Sequence, residues 1–210
     1  MLKLICFDMD GVIFDFFNFW AELHKAFGTF EEGKKLTDKY IVSDYERLKR
    51  EVPGRLWKGK DAKPYYDLVN SIVYMDGIKE IFDYIHKKGF ITAIVSGSSL
   101  DVARRVQKDF GVDYIFANHL VIEDGKVSGE FLDPIRSGLG YKVKVLKELC
   151  EKIGVSMSEV AYIGDSKFDI DIFKEVGLSI AFNSDCEELK KIATHIVNSK
   201  NLSEIIEFLP

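Results

Sequence analysis

Apolar residues along this chain fall into two rhythms. Leu2, Leu4, Ile5, Cys6 and Phe7 form a short, nearly all-apolar run soon stopped by Gly11, the pattern of a strand buried on both faces. Residues 90–95, 160–163 and 178–182 repeat that pattern, and 114–117 and 195–197 are shorter versions of it. Elsewhere the spacing changes to three and four. Ile78, Ile81, Phe82 and Ile85 make a helical stripe ended by Gly89. Further helices are expected at 100–110, capped by Ser98 or Ser99 and stopped by Gly111, and at 141–152, 168–176 and 185–193, with one more at the C-terminus. Asp124-Gly125, between alternating residues, signals a hairpin. Strands alternating with helices predict an α/β protein whose parallel sheet carries helices on both faces.

Residues 15–75 break this alternation. Phe16, Trp20, Leu23 and Phe27 recur on one helical face closed by Gly28. Helices near 44–51, capped by Ser43 or Asp44, and near 64–74, with Pro64 in the first turn, follow without any strand pattern. The expected organisation is a core of residues 1–14 and 76–210 with a small all-helical insertion, 15–75, after the first strand.

With 210 residues there is room for one such domain and its insertion. A formal net charge of −5, without any cluster of Lys/Arg and aromatics, argues against nucleic acid as a partner. No apolar run approaches the roughly 18 residues that a membrane span needs. Asp8 and Asp10 interrupt the only candidate for the apolar part of a signal peptide. The three cysteines, Cys6, Cys150 and Cys186, lack metal-type spacing and read as reduced thiols, so a cytoplasmic protein is expected.

The chemistry sits where the buried strands end, the edge at which open parallel sheets bind ligands. The first strand delivers Asp8 and Asp10, the run at 90–95 delivers Ser96-Gly97-Ser98, and 160–163 delivers Gly164-Asp165 with Asp169 four residues on. Lys142 stands near the start of helix 141–152. Clustered carboxylates cannot all ionise without a cation, and oxygen-only donors favour Mg²⁺ over zinc. Ser96 and the amides of Gly97 and Ser98 could cradle an anion at a helix start, or the serines could be plain helix caps. A lysine facing that anion would offset charge in a phosphoryl-transfer transition state.

The order FDMDGV, VSGSS, Lys142, GDSKFD resembles the haloacid dehalogenase superfamily of phosphohydrolases, and within it the phosphoserine phosphatase branch with its helical cap. The resemblance implies a Rossmann-like core and a Mg²⁺-dependent phosphomonoesterase acting on a small phosphorylated metabolite. It implies that Asp8 is the nucleophile, that Asp10 protonates the leaving oxygen and then activates water, and that Ser96, Gly97 and Lys142 hold the phosphoryl group. It further implies a Mg²⁺ ion held by Asp8, Asp165 and the backbone carbonyl of Asp10, with Asp169 binding directly or supporting the metal's surroundings.

Three departures bear on the substrate. Gly11 stands where the branch carries Ser or Thr, Phe17 stands near the place of an amine-binding glutamate, and Phe168 replaces an Asn. Phosphoserine is therefore not the expected substrate. Phe17 and Phe19 fall off the helical stripe and either pack on the core or wall the leaving group, and Trp20 and Arg50 are further candidates for contacting it. Transfer to an acceptor other than water, or a phospho-accepting or non-catalytic binding module, are the alternatives. Monomer and homodimer both remain open.

Overall fold

The computed structural model describes residues 1–16 and 18–210. Seven strands form one sheet in the order β4-β3-β2-β1-β5-β6-β7. Strand β1 (Leu4–Phe7) lies at its centre, paired in parallel with β2 (Ile91–Ser99) and β5 (Val160–Gly164). Beyond β5 come β6 (Leu178–Phe182) and β7 (His195–Val197), also parallel. On the other side β3 (Tyr114–Glu123) is parallel to β2, and β4 (Lys126–Leu132) returns antiparallel from it. The turn between them holds Asp124 and Gly125, both at positive φ, which matches the strand twist as a hairpin of this kind requires.

Apolar side chains cover both faces. One buried cluster gathers Ile5, Phe7, Ile94 and Ile163 with Phe82 and Ile85 of α5 (Ile78–Lys88) and Val102 and Val106 of α6 (Leu100–Phe110). The other gathers Leu4, Cys6, Val95 and Tyr162 with Leu146 and Leu149 of α7 (Tyr141–Ile153). Alternate residues of β1 thus feed opposite clusters, which is why the run reads as continuously apolar.

Between β1 and α5 lie α1 (Phe19–Ala26), α2 (Phe30–Tyr40), α3 (Tyr45–Glu51), a π-helical turn at Val52–Trp57 and α4 (Lys63–Ser71). Asp44 caps α3 by accepting from Arg47 N at 3.0 Å. Four expectations need correction. Helix α1 starts at Phe19, not before Phe16, because the Asn18 side chain accepts from Ala21 N and ends the extended backbone there. Helix α2 has no counterpart in the predicted elements. Strand β3 continues well past residue 117 into the hairpin. The expected helix at 168–176 is a 3₁₀ turn, Lys167–Asp169, followed by α8 (Ile170–Phe173); α9 (Glu187–Ile192) and a 3₁₀ helix, Leu202–Phe208, complete the chain.

Candidate active site

Strand register assembles the site. Phe7 pairs with both Ile94 and Ile163, so Asp8, Ser96 and Gly164-Asp165 all come to the same, carboxyl edge of the sheet. Asp8 N still donates to Ile163 O at 2.9 Å, so its carboxylate projects where the sheet has just ended.

Lys142, in the first turn of α7 and 3% exposed, binds two carboxylates at once. Its Nζ donates to Asp8 Oδ2 at 2.5 Å and to Asp169 Oδ1 at 2.6 Å. Burial works against its charge, yet Asp169 and Asp8 outweigh burial and raise its pKa. Asp8 is pushed up by burial, against which Lys142 pulls down. Its other oxygen accepts from Met9 N at 2.7 Å.

Asp169 is wholly buried and fully engaged. Oδ1 also accepts from the Tyr162 hydroxyl at 3.0 Å, and Oδ2 accepts from Asp165 N, Ser166 N and Ser166 Oγ at 3.1–3.2 Å. This carboxylate fastens Lys142 to the loop that carries Asp165. Asp165 itself is pushed up to about 8 by burial and by the nearby charges of Asp8 and Asp169.

Asp10 faces elsewhere. Its Oδ2 accepts from Phe19 N at 2.9 Å, and burial, augmented by Asp8, lifts it to about 6 despite that bond. One oxygen from each of Asp8, Asp165 and Asp169 lies within 4.8 Å of the others, and the Asp10 carboxylate does not join this group. The donor chemistry fits a hard divalent cation. These are oxygens only, and burial first, with neighbouring carboxylate charge second, pushes Asp8 and Asp165 up further than Lys142 pulls them down, a cost that a bound cation would relieve. Asp169 accepts from five protein donors, which fills its lone pairs, whereas Asp8 accepts from two, so Asp8 and Asp165 are the carboxylates with room for such an ion.

The last residues of β2, where its pairing with β3 slips between Ser96 and Ser99, keep Ser96 and Ser98 buried, and Ser98 N donates to Ser96 Oγ at 3.3 Å. The Gly97 carbonyl accepts from Trp20 Nε1 at 2.8 Å and from Asn118 Nδ2 at 3.0 Å. Asn118 also accepts from Ile135 N and donates to Arg136 O, joining the phosphate-cradle candidate to the loop before α7. A polar residue at the end of an apolar run is the signal that marks Asp8, and it would have found Asn118 as well.

Above this polar floor lies a cavity of about 230 Å³. Trp20, Val52, Trp57 and Phe131 make an apolar wall, and Trp20 meets Phe131 edge-on with ring centroids 5.1 Å apart. Phe19 is buried against Trp20 and Tyr65 rather than lining the cavity. Phe17 lies outside the described residues. Arg50 is exposed and does not line the cavity; one residue back on α3 the side chain turns inward, so Lys49 does, donating to Asp133 Oδ1 at 2.9 Å. Arg136 faces it from the core and pairs with Glu46 at 3.0 Å. Nothing in the local sequence separates Lys49 from Arg50; the choice is made by which side of α3 meets the core.

Fold and site together define a phosphatase built on an open α/β sheet. The chain belongs to the haloacid dehalogenase-like hydrolase family, whose model matches residues 2–177. It is 31% identical to the phosphoserine phosphatase of Archaeoglobus fulgidus over 95% of its own length, though it spans only 58% of that protein. It is 27% identical to the phosphoserine phosphatase of Methanocaldococcus jannaschii, covering 99% of this chain and 97% of that one. A solved phospho-aspartyl intermediate analogue of phosphoserine phosphatase superposes with a TM-score of 0.84 at 26% identity, covering 100% and 99% of the two chains. Among the described residues no helix is long and apolar enough to cross a membrane.

Proposed function

We propose that this chain is a Mg²⁺-dependent phosphomonoesterase that works through an aspartyl phosphate on Asp8. The observation that carries the reading is Asp8 itself, a buried carboxylate clamped by Lys142 on the sheet edge it shares with Ser96 and Asp165. In the first step an Asp8 oxygen attacks phosphorus, the bond from phosphorus to the leaving oxygen breaks, and Asp10 gives that oxygen its proton. Asp10 suits the part because its position near 6 leaves it protonated in a useful fraction at neutral pH. In the second step water attacks phosphorus, Asp10 takes the proton back, and the bond to Asp8 breaks to release phosphate.

Ser96, the Gly97 amide and Lys142 hold the phosphoryl oxygens in this scheme. Asp8, Asp165 and the Asp10 carbonyl would hold Mg²⁺, which would supply positive charge beside the transferring group. Asp169 keeps Lys142 and the Asp165 loop in place. Residues 15–75 act as a cap over the core of residues 1–14 and 76–210. An aspartyl-phosphate analogue among the structural neighbours supports the covalent step.

For the leaving group, the wall of Trp20, Val52, Trp57 and Phe131 supports a small phosphoester with an apolar or ring-bearing alcohol. The names of the relatives favour phosphoserine as a second reading. Turnover of p-nitrophenyl phosphate with Mg²⁺ tests the reaction. Asp8→Asn is expected to abolish it, and undiminished turnover in that variant refutes the assignment. A panel of phosphorylated metabolites tests the substrate: higher kcat/KM on aromatic or apolar esters supports the wall, and higher kcat/KM on phosphoserine supports the second reading.

A further inference from the structure

One carbonyl is shared by the cap and the phosphate loop. Trp20 Nε1, from the first turn of α1, donates to Gly97 O at 2.8 Å, and Asn118 Nδ2, from β3, donates to the same oxygen at 3.0 Å. A carbonyl oxygen has two lone pairs, so both are in use. The peptide unit between Gly97 and Ser98 is held from that side, and its N–H donates to Ser96 Oγ at 3.3 Å. A hydroxyl that accepts one bond keeps its own hydrogen to give. Ser96 is 2% exposed and lines the site with Asp8, whose carboxylate its hydroxyl helps to hold down, so that hydrogen is placed to pass to a phosphoryl oxygen in the complex.

The bonds therefore run in one direction, from indole N–H to carbonyl, from amide to hydroxyl, and from hydroxyl into the site. Each bond in such a chain polarises the next. Packing does not explain why the first member is an indole. The ring of Trp20 lies edge-on to Phe19 and Phe131 at 5.1 Å and stacks on Trp57 at 6.1 Å, contacts that a phenyl ring could also make. What only the indole supplies here is the N–H.

We infer that Trp20 is a positioning residue for the phosphate loop, through which a closed cap aligns the Ser96 hydroxyl with the phosphoryl group. The inference rests on the proposed reading that Ser96 and Gly97 hold phosphate. It differs from a wall role for Trp20 in one respect: a wall acts on the leaving group, whereas an aligned hydroxyl acts on every phosphoryl compound alike.

The test uses Trp20→Phe and, as a second variant without the N–H, Trp20→Tyr. Both are compared with wild type and Ser96→Ala, using inorganic phosphate as a competitive inhibitor and p-nitrophenyl and acetyl phosphates as substrates. The inhibition constant for phosphate is expected to rise about 5- to 10-fold in both Trp20 variants, the scale of one neutral hydrogen bond. The kcat/KM should fall by a similar factor on both substrates. In a Ser96→Ala background the Trp20 change should add no more than about 2-fold, because the pair acts as one unit. A loss confined to the aryl substrate, or full additivity with Ser96→Ala, overturns the inference while leaving the phosphate site standing. Unchanged phosphate inhibition in Ser96→Ala itself removes the phosphate site, and the inference with it.

Discussion

At Gly11 the backbone takes φ +79°, and a Cβ built there would lie 2.2 Å from Asp165 Oδ2. Both facts exclude a side chain: the conformation belongs to the left-handed region, and the space belongs to a candidate metal ligand. The glycine that stands in place of the branch's Ser or Thr is therefore a demand of this site's packing. It carries no information about the substrate. Gly11→Ala is expected to displace Asp165 and raise the Mg²⁺ concentration for half-maximal turnover by about 10- to 100-fold, the usual cost of disturbing the support of a metal ligand. A titration of activity against MgCl₂ checks this, and an unchanged midpoint would show that Asp165 does not meet the ion. Asp169 shows the complementary case. Its spacing from Asp165 made it a candidate ligand, but five donors already occupy it, so its work is to hold Lys142 and the loop amides.

At the scale of elements, α2 shows what pattern alone cannot read. Its residues FEEGKKLTDKY offer few apolar positions and carry Gly33 inside, which normally costs a helix about 1 kcal/mol against Ala. The glycine is there because the His24 ring lies over it: a Cβ on Gly33 would stand 2.0 Å from His24 Cε1. That ring cannot retreat, since Trp57 packs on it at 4.6 Å and Thr29 Oγ1 lies 2.8 Å from its Nδ1. Gly33→Ala should therefore destabilise despite the better propensity, by about 1–3 kcal/mol for an overpacked contact. For a chain of this size that is a fall in Tm of roughly 2–10 °C. A rise in Tm on thermal unfolding would mean that propensity outweighs the clash. Strands β1, β2, β5 and β6 were legible because each is a short apolar run with a punctuated end, and those ends also carry Asp8, Ser96 and Asp165. Asn118, the polar residue that ends the run 114–117, carried the same signal; Lys49 and the Trp20–Gly97 bond did not, because each depends on which surfaces meet across many residues of chain.

The whole molecule draws Asp8, Asp10, Asp165 and Asp169 to one sheet edge and sets Lys142 among them. Burial lifts Asp10 to about 6 and Asp165 to about 8, both above the ordinary 3.8 of an unfolded carboxylate. The folded state thus resists ionising them. Their contribution to stability is present below pH 3.8 and is lost as pH rises through 6 and 8. A divalent cation would reverse this at Asp165, because it binds the ionised carboxylate and binding releases the proton. Mg²⁺ is accordingly expected to raise Tm more at pH 8.5 than at pH 5.5, with EDTA as the metal-free reference at each pH. His24 works the other way, since burial lowers it to about 4; the stability linked to it is present above 6.5 and lost as pH falls towards 4. That term is the same with and without metal, so it cancels when the two Tm values at one pH are subtracted. An equal shift at both pH values, or a larger one at pH 5.5, would mean that the ion does not bind the carboxylates whose ionisation the fold resists.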